Sequence, residues 1–462
     1  VPEFFVQSFG CRATQADGAA LERQLATQGL APADSAVNAD VIVLNTCTVT
    51  AAADQDARAV IRRIHRENPG AKIMVTGCYA QRAPQEVAAL PGVTWVVGNS
   101  HKHQVAEIAA LGIGQHDLSK LSAAQNFVSL ETVALSAPAF TLVGDVFAHT
   151  ELIAAPVFAG DTIAEKTRPN LKVQDGCDNR CSFCIIPSVR GQSRSMKLER
   201  VLAEANALVA AGYREIVLSG INLGRWGRDF QPQQRFEQLV HALLEQTAIE
   251  KIRISSVEPM DWSDELIALV AGTPRIAKHA HVPLQSGSDR ILRRMHRKYR
   301  PWHYAEKIRK IREVMPDAAI GADVMVGFPG ETDELFEESR SFIERLPFTY
   351  LHVFTYSSRP GTPSAAMPDQ VPVHVARERN RVLRELAAEK NLEFRRTFIG
   401  QTLDVITLQT GNEGSTEALS SNFLKISLAG RHAPNTWMKA EIEGVGDENL
   451  LAVAEKETTF VV

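Results

Sequence analysis

Short apolar runs alternate with amphipathic stretches in two separate parts of the chain, and every cysteine follows such a run. In the first hundred residues the runs are Phe4–Ser8, Val41–Asn45, Ile73–Thr76 and Trp95–Val97, with helical stretches at Ala19–Gln28 and Asp54–Glu67 between them. Alternation of this kind predicts a parallel sheet with helices on its faces. Cys11, Cys47 and Cys78 each lie one to three residues past a run. In a parallel sheet those positions share the carboxyl edge, where ligands bind. Place in the fold, not spacing, is what joins them. The competing account is three buried small hydrophobes, since free cysteine is among the most buried residue types.

The alternation resumes near Thr167 and continues to about Phe394. Strands are predicted at Asn170–Gln174, Glu215–Ser219, Lys251–Ser255, His279–Pro283, Ala319–Val326 and Thr349–Tyr356. Helical segments such as Lys197–Ala211, Phe236–Gln246 and Asp333–Leu346 separate them, and Arg377–Arg396 reads as a charged closing helix. Six β/α units predict a full or partial barrel with chemistry at the carboxyl mouth of its strands. Beyond Gly400 the runs Leu403–Thr407, Leu424–Leu428, Trp437–Ile442 and Leu450–Ala454 are short and glycine-punctuated, as in a small antiparallel barrel. Residues 115–162, sparse in charge and rich in Ala, Ser, Pro and Gly, read as a connection with a hairpin around Phe140–Phe147. The expected architecture is α/β: an N-terminal parallel α/β domain (1–114), a linker (115–166), a (β/α) partial barrel (167–396) and a small antiparallel β-barrel (397–462).

At 462 residues the chain exceeds one ordinary core. With 45% hydrophobic and 23% charged residues and no apolar run of membrane length, the composition is globular and no membrane partner is expected. The start, Val1-Pro2-Glu3-Phe4-Phe5, carries no basic segment or long apolar stretch, so a secretory leader is not expected and a cytoplasmic location is. There, cysteines more often bind metal or react than pair. The formal charge of −4 makes no general case for nucleic acid. Residues 290–312, however, hold ten Lys/Arg against Glu306 alone, with Tyr299, Trp302 and Tyr304 interleaved, a pattern that suits an RNA surface. The bland account is a solvated helix face.

Cys177, Cys181 and Cys184 follow the first barrel strand as C-D-N-R-C-S-F-C. Zinc would want a fourth Cys or His nearby, and a redox disulfide would leave Cys177 unexplained. Iron–sulfur ligation accounts for all three. This C-x3-C-x2-C, with Phe183 before its last cysteine, resembles the signature of radical S-adenosylmethionine (SAM) enzymes. Three further features resemble the methylthiotransferase family within that superfamily: Ser8-Phe9-Gly10-Cys11, Asn45-Thr46-Cys47 and Thr76-Gly77-Cys78; Cys184-Ile185-Ile186-Pro187 with Arg190-Gly191; and Gly327-Phe328-Pro329-Gly330-Glu331-Thr332. The terminal barrel looks like a TRAM domain.

The resemblance implies insertion of a methylthio group at an unactivated C–H bond, with one SAM supplying the methyl and a second the radical. It implies two [4Fe-4S] clusters, one on Cys177, Cys181 and Cys184 and one on Cys11, Cys47 and Cys78. It also implies an electron donor of flavodoxin or ferredoxin type and a sulfur source. Gly220-Ile221-Asn222-Leu223-Gly224 and Gly10-Cys11-Arg12 resemble the branch acting at C2 of N6-threonylcarbamoyladenosine next to the anticodon of tRNA. Alternatives are the isopentenyladenosine branch, the branch acting on an aspartate of ribosomal protein S12, and an iron–sulfur RNA-binding module without catalysis. Thr14 and Met196 depart from the residues common in relatives. By position at strand ends, Gly220, Asn222, Ser256, Glu258, Gln285, Ser286 and Asp323 are the candidate SAM-pocket residues. Their ordinary alternative is loop capping. His65 and His241 are expected on the surface. From Gln401 to Val462, four Lys/Arg face nine Asp/Glu, so the terminal barrel as a whole is no phosphate clamp, although Lys425, Arg431 and Lys439 offer a local basic edge.

Overall fold

A computed structural model describes residues 1–113, 139–148, 167–409, 411 and 414–455. Most of the expected linker lies outside the described residues. The N-terminal sheet has six strands, β1 (Glu3–Ser8), β2 (Ala31–Pro32), β3 (Val41–Thr46), β4 (Lys72–Gly77), β5 (Val93–Gly98) and β6 (Phe140–Leu142). Their order is β2-β1-β3-β4-β5-β6 and every pairing is parallel. β6 corrects the sequence expectation: Phe140–Leu142 pairs with Trp95–Val97 as a sixth parallel strand and does not turn back as a hairpin. Separate apolar cores fill the two faces, one around Ile42, Ile61 and Tyr79, the other around Leu21, Trp95 and Ile108.

The central part contains β7 (Asn170–Lys172), a short antiparallel pair of β8 (Gln174–Asp175) and β9 (Arg194–Ser195), then β10 (Glu215–Ser219), β11 (Lys251–Ile254), β12 (His279–His281), β13 (Ala319–Val326) and β14 (Tyr350–Thr355). β11-β10-β7 and β12-β13-β14 form two parallel sheets. A bridge from Ile252 to Ile276 joins them side by side, giving a six-stranded half-barrel with β7 and β14 at its edges. Alternate residues on these strands turn two ways. Ile216, Ile252, Ala280, Ile320, Ala322 and Val324 pack under the helices in one continuous core. The residues between them, including Ser219, Arg253, His281 and Asp323, line the inner face, as the period of two requires.

Helix Asp333–Arg345 begins at Thr332, whose hydroxyl accepts from Leu335 N. The Gly327–Thr332 motif has a structural duty as well. Glu331 accepts from Gly327 N at 2.6 Å and from Arg379 of the closing helix Val373–Arg396 at 2.8 Å.

The terminal unit is a closed antiparallel-rich barrel in the order β15-β16-β17-β19-β18, with β15 (Thr402–Thr407), β16 (Ser415–Ser420), β17 (Lys425–Ala429), β18 (Trp437–Val445) and β19 (Leu450–Ala454). β16 was not among the expected strands. The barrel docks on the amino ends of the half-barrel strands, opposite the cysteine loop. Arg253 donates to the carbonyls of Ser420 and Ser421, both at 3.1 Å, and Phe423 packs 4.6 Å from the His279 ring. Among the described residues no helix is long and apolar enough to cross a membrane.

Candidate active site

The order β2-β1-β3 reverses direction between β1 and β3, and ligands bind at such a switch point in an open α/β sheet. Cys11 follows β1, Cys47 follows β3 and Cys78 follows β4, so all three sit along that edge. Gly10 makes the approach possible. Its φ is +98°, and a Cβ there would lie 2.6 Å from Cys47 Cβ. Gly10→Ala should therefore push Cys47 aside and lower iron retention by the first cysteine set. Unchanged iron content after anaerobic reconstitution would refute this. Cys78 Sγ accepts from Asn99 Nδ2 at 3.5 Å, and Asn99 also reaches the carbonyl of Val189 in the half-barrel at 2.8 Å.

The second set lies on the loop after β8. Cys177 Sγ accepts from Asn179 N at 3.4 Å and from Asn222 Nδ2 at 3.6 Å. Gln174 holds Asn222 in place, accepting its N–H at 2.7 Å. Cys181 Sγ accepts from Arg297 Nη1 at 3.2 Å, and the other end of that guanidinium pairs with Glu258. Arg297 also lies 4.9 Å from the Tyr299 ring centre, so its charge is fixed at the thiol.

Burial and the neighbouring thiols push both Cys47 and Cys184 up to about 12. Cys177 is also raised, chiefly by burial. Thiolates at these places therefore require positive charge from elsewhere, which is what bound iron provides. Among the described residues, the one set of three His, Cys, Asp or Glu side chains with all ligand atoms within 4.8 Å is His281, Asp323 and His352. Neither cysteine trio is thus drawn as tight as three thiolates on a single tetrahedral ion, about 3.8 Å apart for bonds of about 2.3 Å. A multi-iron cluster carries its thiolates on different irons and does not require that closeness.

A buried charge cluster lies between the two sets. Asp17, on α1 (Arg12–Thr27), pairs with Lys102 Nζ at 2.9 Å, with Arg190 Nη2 at 3.1 Å and with Lys172 Nζ. Asp175 takes Arg190 at 2.9 Å and Lys172 at 3.1 Å. Burial opposes the Asp17 charge, but Lys102, Lys172 and Arg190 bring the carboxyl down to about 2. Arg190 also faces Cys78 and Cys11, which add to the forces that hold it charged. On the other edge, Arg359 beyond β14 pairs with Asp54 and donates to Thr48 Oγ1 at 2.9 Å. The N-terminal domain thus grips the half-barrel at both open edges.

The sequence-nominated residues separate into groups. Asn222 and Glu258 join the second cysteine set, and Gly220 lies against Gln174, where a Cβ would meet Gln174 Oε1 at 3.0 Å. Gln285, at φ 67°, keeps Oε1 buried without a hydrogen-bond partner, as do Ser219 Oγ and Asn222 Oδ1. Such orphaned atoms suit a polar ligand such as SAM. Ser256 is half-buried just past β11. Ser286 turns away, its hydroxyl 3.0 Å from Ser339 Oγ on the outer helix. Asp323 sits 3.2 Å from His281 Nε2 and 3.3 Å from His352 Nδ1, and despite burial those two rings hold its carboxyl well below the usual carboxylate range. Of the interleaved aromatics in 290–312, Tyr299 and Tyr304 are core residues and only Trp302 is exposed, so the expected aromatic RNA surface reduces to one ring. Arg297 is likewise buried, and Lys307 and Lys310 face Asp264. His241 is exposed as expected, while His65 is half-buried. Sequence reasoning missed Asp17, Lys102, Lys172, Asp175 and Arg297 as members of the site.

Residues 171–343 match the model of the radical SAM superfamily, and residues 3–98 match uncharacterized protein family UPF0004. The chain is 36% identical over 428 residues to the threonylcarbamoyladenosine tRNA methylthiotransferase MtaB of Bacillus subtilis, covering 92% of this chain and 89% of that one. It is 35% identical to the tRNA-2-methylthio-N(6)-dimethylallyladenosine synthase of Thermobifida fusca, covering 87% and 77% respectively. Among solved structures, the radical S-adenosylmethionine methyltransferase TsrM of Kitasatospora setae shares the fold with a TM-score of 0.56 at 15% identity, over 79% of this chain and 75% of that one. With the cysteine sets in place and similarity running through nearly the whole length, the chain belongs to the radical SAM tRNA methylthiotransferase family.

Proposed function

We propose that this enzyme inserts a methylthio group at C2 of N6-threonylcarbamoyladenosine next to the anticodon of tRNA, using two SAM and two [4Fe-4S] clusters. Cys177, Cys181 and Cys184 hold the cluster that takes SAM, and Cys11, Cys47 and Cys78 hold the sulfur-handling one. When bound, these groups supply the radical and sulfur chemistry. The chain's own residues set its conditions. Gly220, Asn222, Ser256, Glu258, Gln285 and Asp323 bound the SAM side of the inner face. Ser286, also nominated for that pocket, acts by holding the loop against the outer helix. A reductant of flavodoxin or ferredoxin type and a sulfur source act as partners.

The observation that carries the substrate choice is the polar inner face. His281, Asp323, His352, Arg253 and Tyr350 alternate with the core-facing apolar residues of the strands. A threonylcarbamoyl group carries hydroxyl, amide and carboxylate, whereas an isopentenyl group is hydrocarbon and favours an apolar pocket. The deciding measurement is nucleoside mass spectrometry of tRNA from cells with and without the gene. Loss of 2-methylthio-N6-threonylcarbamoyladenosine is expected. Loss of the methylthio-isopentenyl nucleoside instead would transfer the assignment to that branch.

Arg297 and Asn222 donate to cysteine sulfurs, and hydrogen bonds and positive charge at the sulfurs raise a cluster's reduction potential. Arg297→Gln is expected to shift the potential of the SAM-binding cluster to a more negative value and to slow SAM cleavage. An unchanged midpoint in an EPR-monitored redox titration would contradict that role.

A further inference from the structure

Arg12 follows Cys11 directly and opens α1. Its side chain is directed toward the floor of the half-barrel, where the charged or ionisable groups around it are Tyr350, Arg253, Glu215, Arg168 and His279. Nη1 is buried and has no hydrogen-bond partner among the described residues. A guanidinium remains charged in proteins, so burial without a partner is costly.

The floor holds more positive than negative charge, and its one open carboxylate oxygen is Glu215 Oε2. Glu215 Oε1 is shared by Arg253 at 2.7 Å and Arg168 at 3.7 Å. Arg253 directs its other nitrogens to the Ser420 and Ser421 carbonyls. Tyr350 OH meets His279 Nε2 at 2.7 Å, its ring held across the inner face at Gly321, where a Cβ would lie 1.9 Å from the ring. Three guanidiniums therefore surround one carboxylate, which pairs with two of them. That imbalance disfavours a metal cation on the nearby His281–Asp323–His352 set and favours an anion entering from the lumen. A carboxylate matches the guanidinium fork in shape and charge.

We propose that Arg12 binds the free carboxylate of the substrate's threonyl group, with Tyr350 beside it, and so selects the carboxylate-bearing adenosine over its hydrocarbon-substituted counterpart. The assignment rests on the threonylcarbamoyladenosine reading given above. A neutral substituent would bring no negative charge to offset this surplus of guanidiniums in the closed complex, which is how a buried charged group rejects the wrong substrate.

The test uses full-length reconstituted enzyme and two anticodon stem-loops. One carries N6-threonylcarbamoyladenosine, and the other carries the same nucleoside with its carboxylate converted to the methylamide. Methylthio product is measured by mass spectrometry, and kcat/KM for the acid is divided by that for the amide. Wild type should prefer the acid by about 10- to 100-fold, mostly through KM, as expected for loss of a charge-assisted pair. Arg12→Gln should bring the ratio near one, and Arg12→Lys should restore part of it. Iron content and the cluster EPR signal of each variant show whether Cys11 still functions, and the ratio is taken within one protein, so a partly loaded variant remains informative. If wild type accepts acid and amide equally, or Arg12→Gln keeps the full preference, the clamp is overturned while the function stands. A wild type that modifies isopentenyladenosine stem-loops and ignores the acid overturns both.

Discussion

Replacing Cys11, Cys47 and Cys78 together by Ala is expected to remove about four of about eight irons per chain and to abolish methylthio product while SAM cleavage continues. Replacing Cys177, Cys181 and Cys184 should retain the other four irons and abolish SAM cleavage itself. The separation follows from geometry. The first set lies at the switch point of the N-terminal sheet, with Asn99 and Arg190 as its neighbours. The second is positioned by Asn179, Asn222 and Arg297, none of which touches the first. Each trio therefore has its own supports, and loss of one leaves the other's positioning intact. Iron analysis, 5′-deoxyadenosine assay and product mass spectrometry, run on the same preparations, read the three quantities independently. If the Cys11, Cys47 and Cys78 variant still inserts sulfur, the division of labour is wrong.

Much of this arrangement was legible in the chain because its parallel strands are strongly apolar. Val41–Thr46 is buried along its whole length, and the cysteine after it inherits its position from that run. The half-barrel strands Glu215–Ser219 and Ala319–Val326 were equally plain, whereas the expected Asn170–Gln174 and His279–Pro283 overran strands of three residues, Asn170–Lys172 and His279–His281. β16 escaped notice because Ser415-Thr416-Glu417-Ala418-Leu419-Ser420 has almost no apolar alternation. Thr416, Ala418 and Ser420 are buried small residues that give no hydrophobic signal. Tyr299, Tyr304 and Arg297 misled for the opposite reason. In sequence they belong to a basic, aromatic run, but the helix Pro301–Val314 turns Tyr304 into the core, and Arg297 leaves the surface for Cys181 and Glu258. Charge partners far apart in sequence are the least legible of all. Nothing local tells Asp17 that it will meet Lys102, 85 residues on in the same domain, or Lys172 and Arg190, which only the docking of two domains brings to it.

That cluster makes Asp17→Asn the second large effect. The substitution leaves Lys102, Lys172 and Arg190 buried with Asp175 as the remaining carboxylate, and Lys102 loses its partner outright. Breaking a buried ion pair by removing one member costs about 3–5 kcal/mol, because the surviving charge stays desolvated. The loss falls on the contact between the N-terminal domain and β7, so the expected outcome is a lower melting temperature and faster proteolysis between the two domains. The sign with pH follows from the depressed carboxyl. Asp17 titrates at about 2 in the folded chain against an ordinary 3.8, so its contribution is complete above about pH 4 and fades as pH falls toward 2. Wild type should therefore lose stability more steeply than Asp17→Asn over that interval. Asp17→Asn combined with Lys102→Met removes one of the stranded cations and should recover part of the melting temperature. A single variant as stable as wild type at pH 7, or a double variant less stable than the single, would show that the cluster does not hold the two cysteine-bearing domains together.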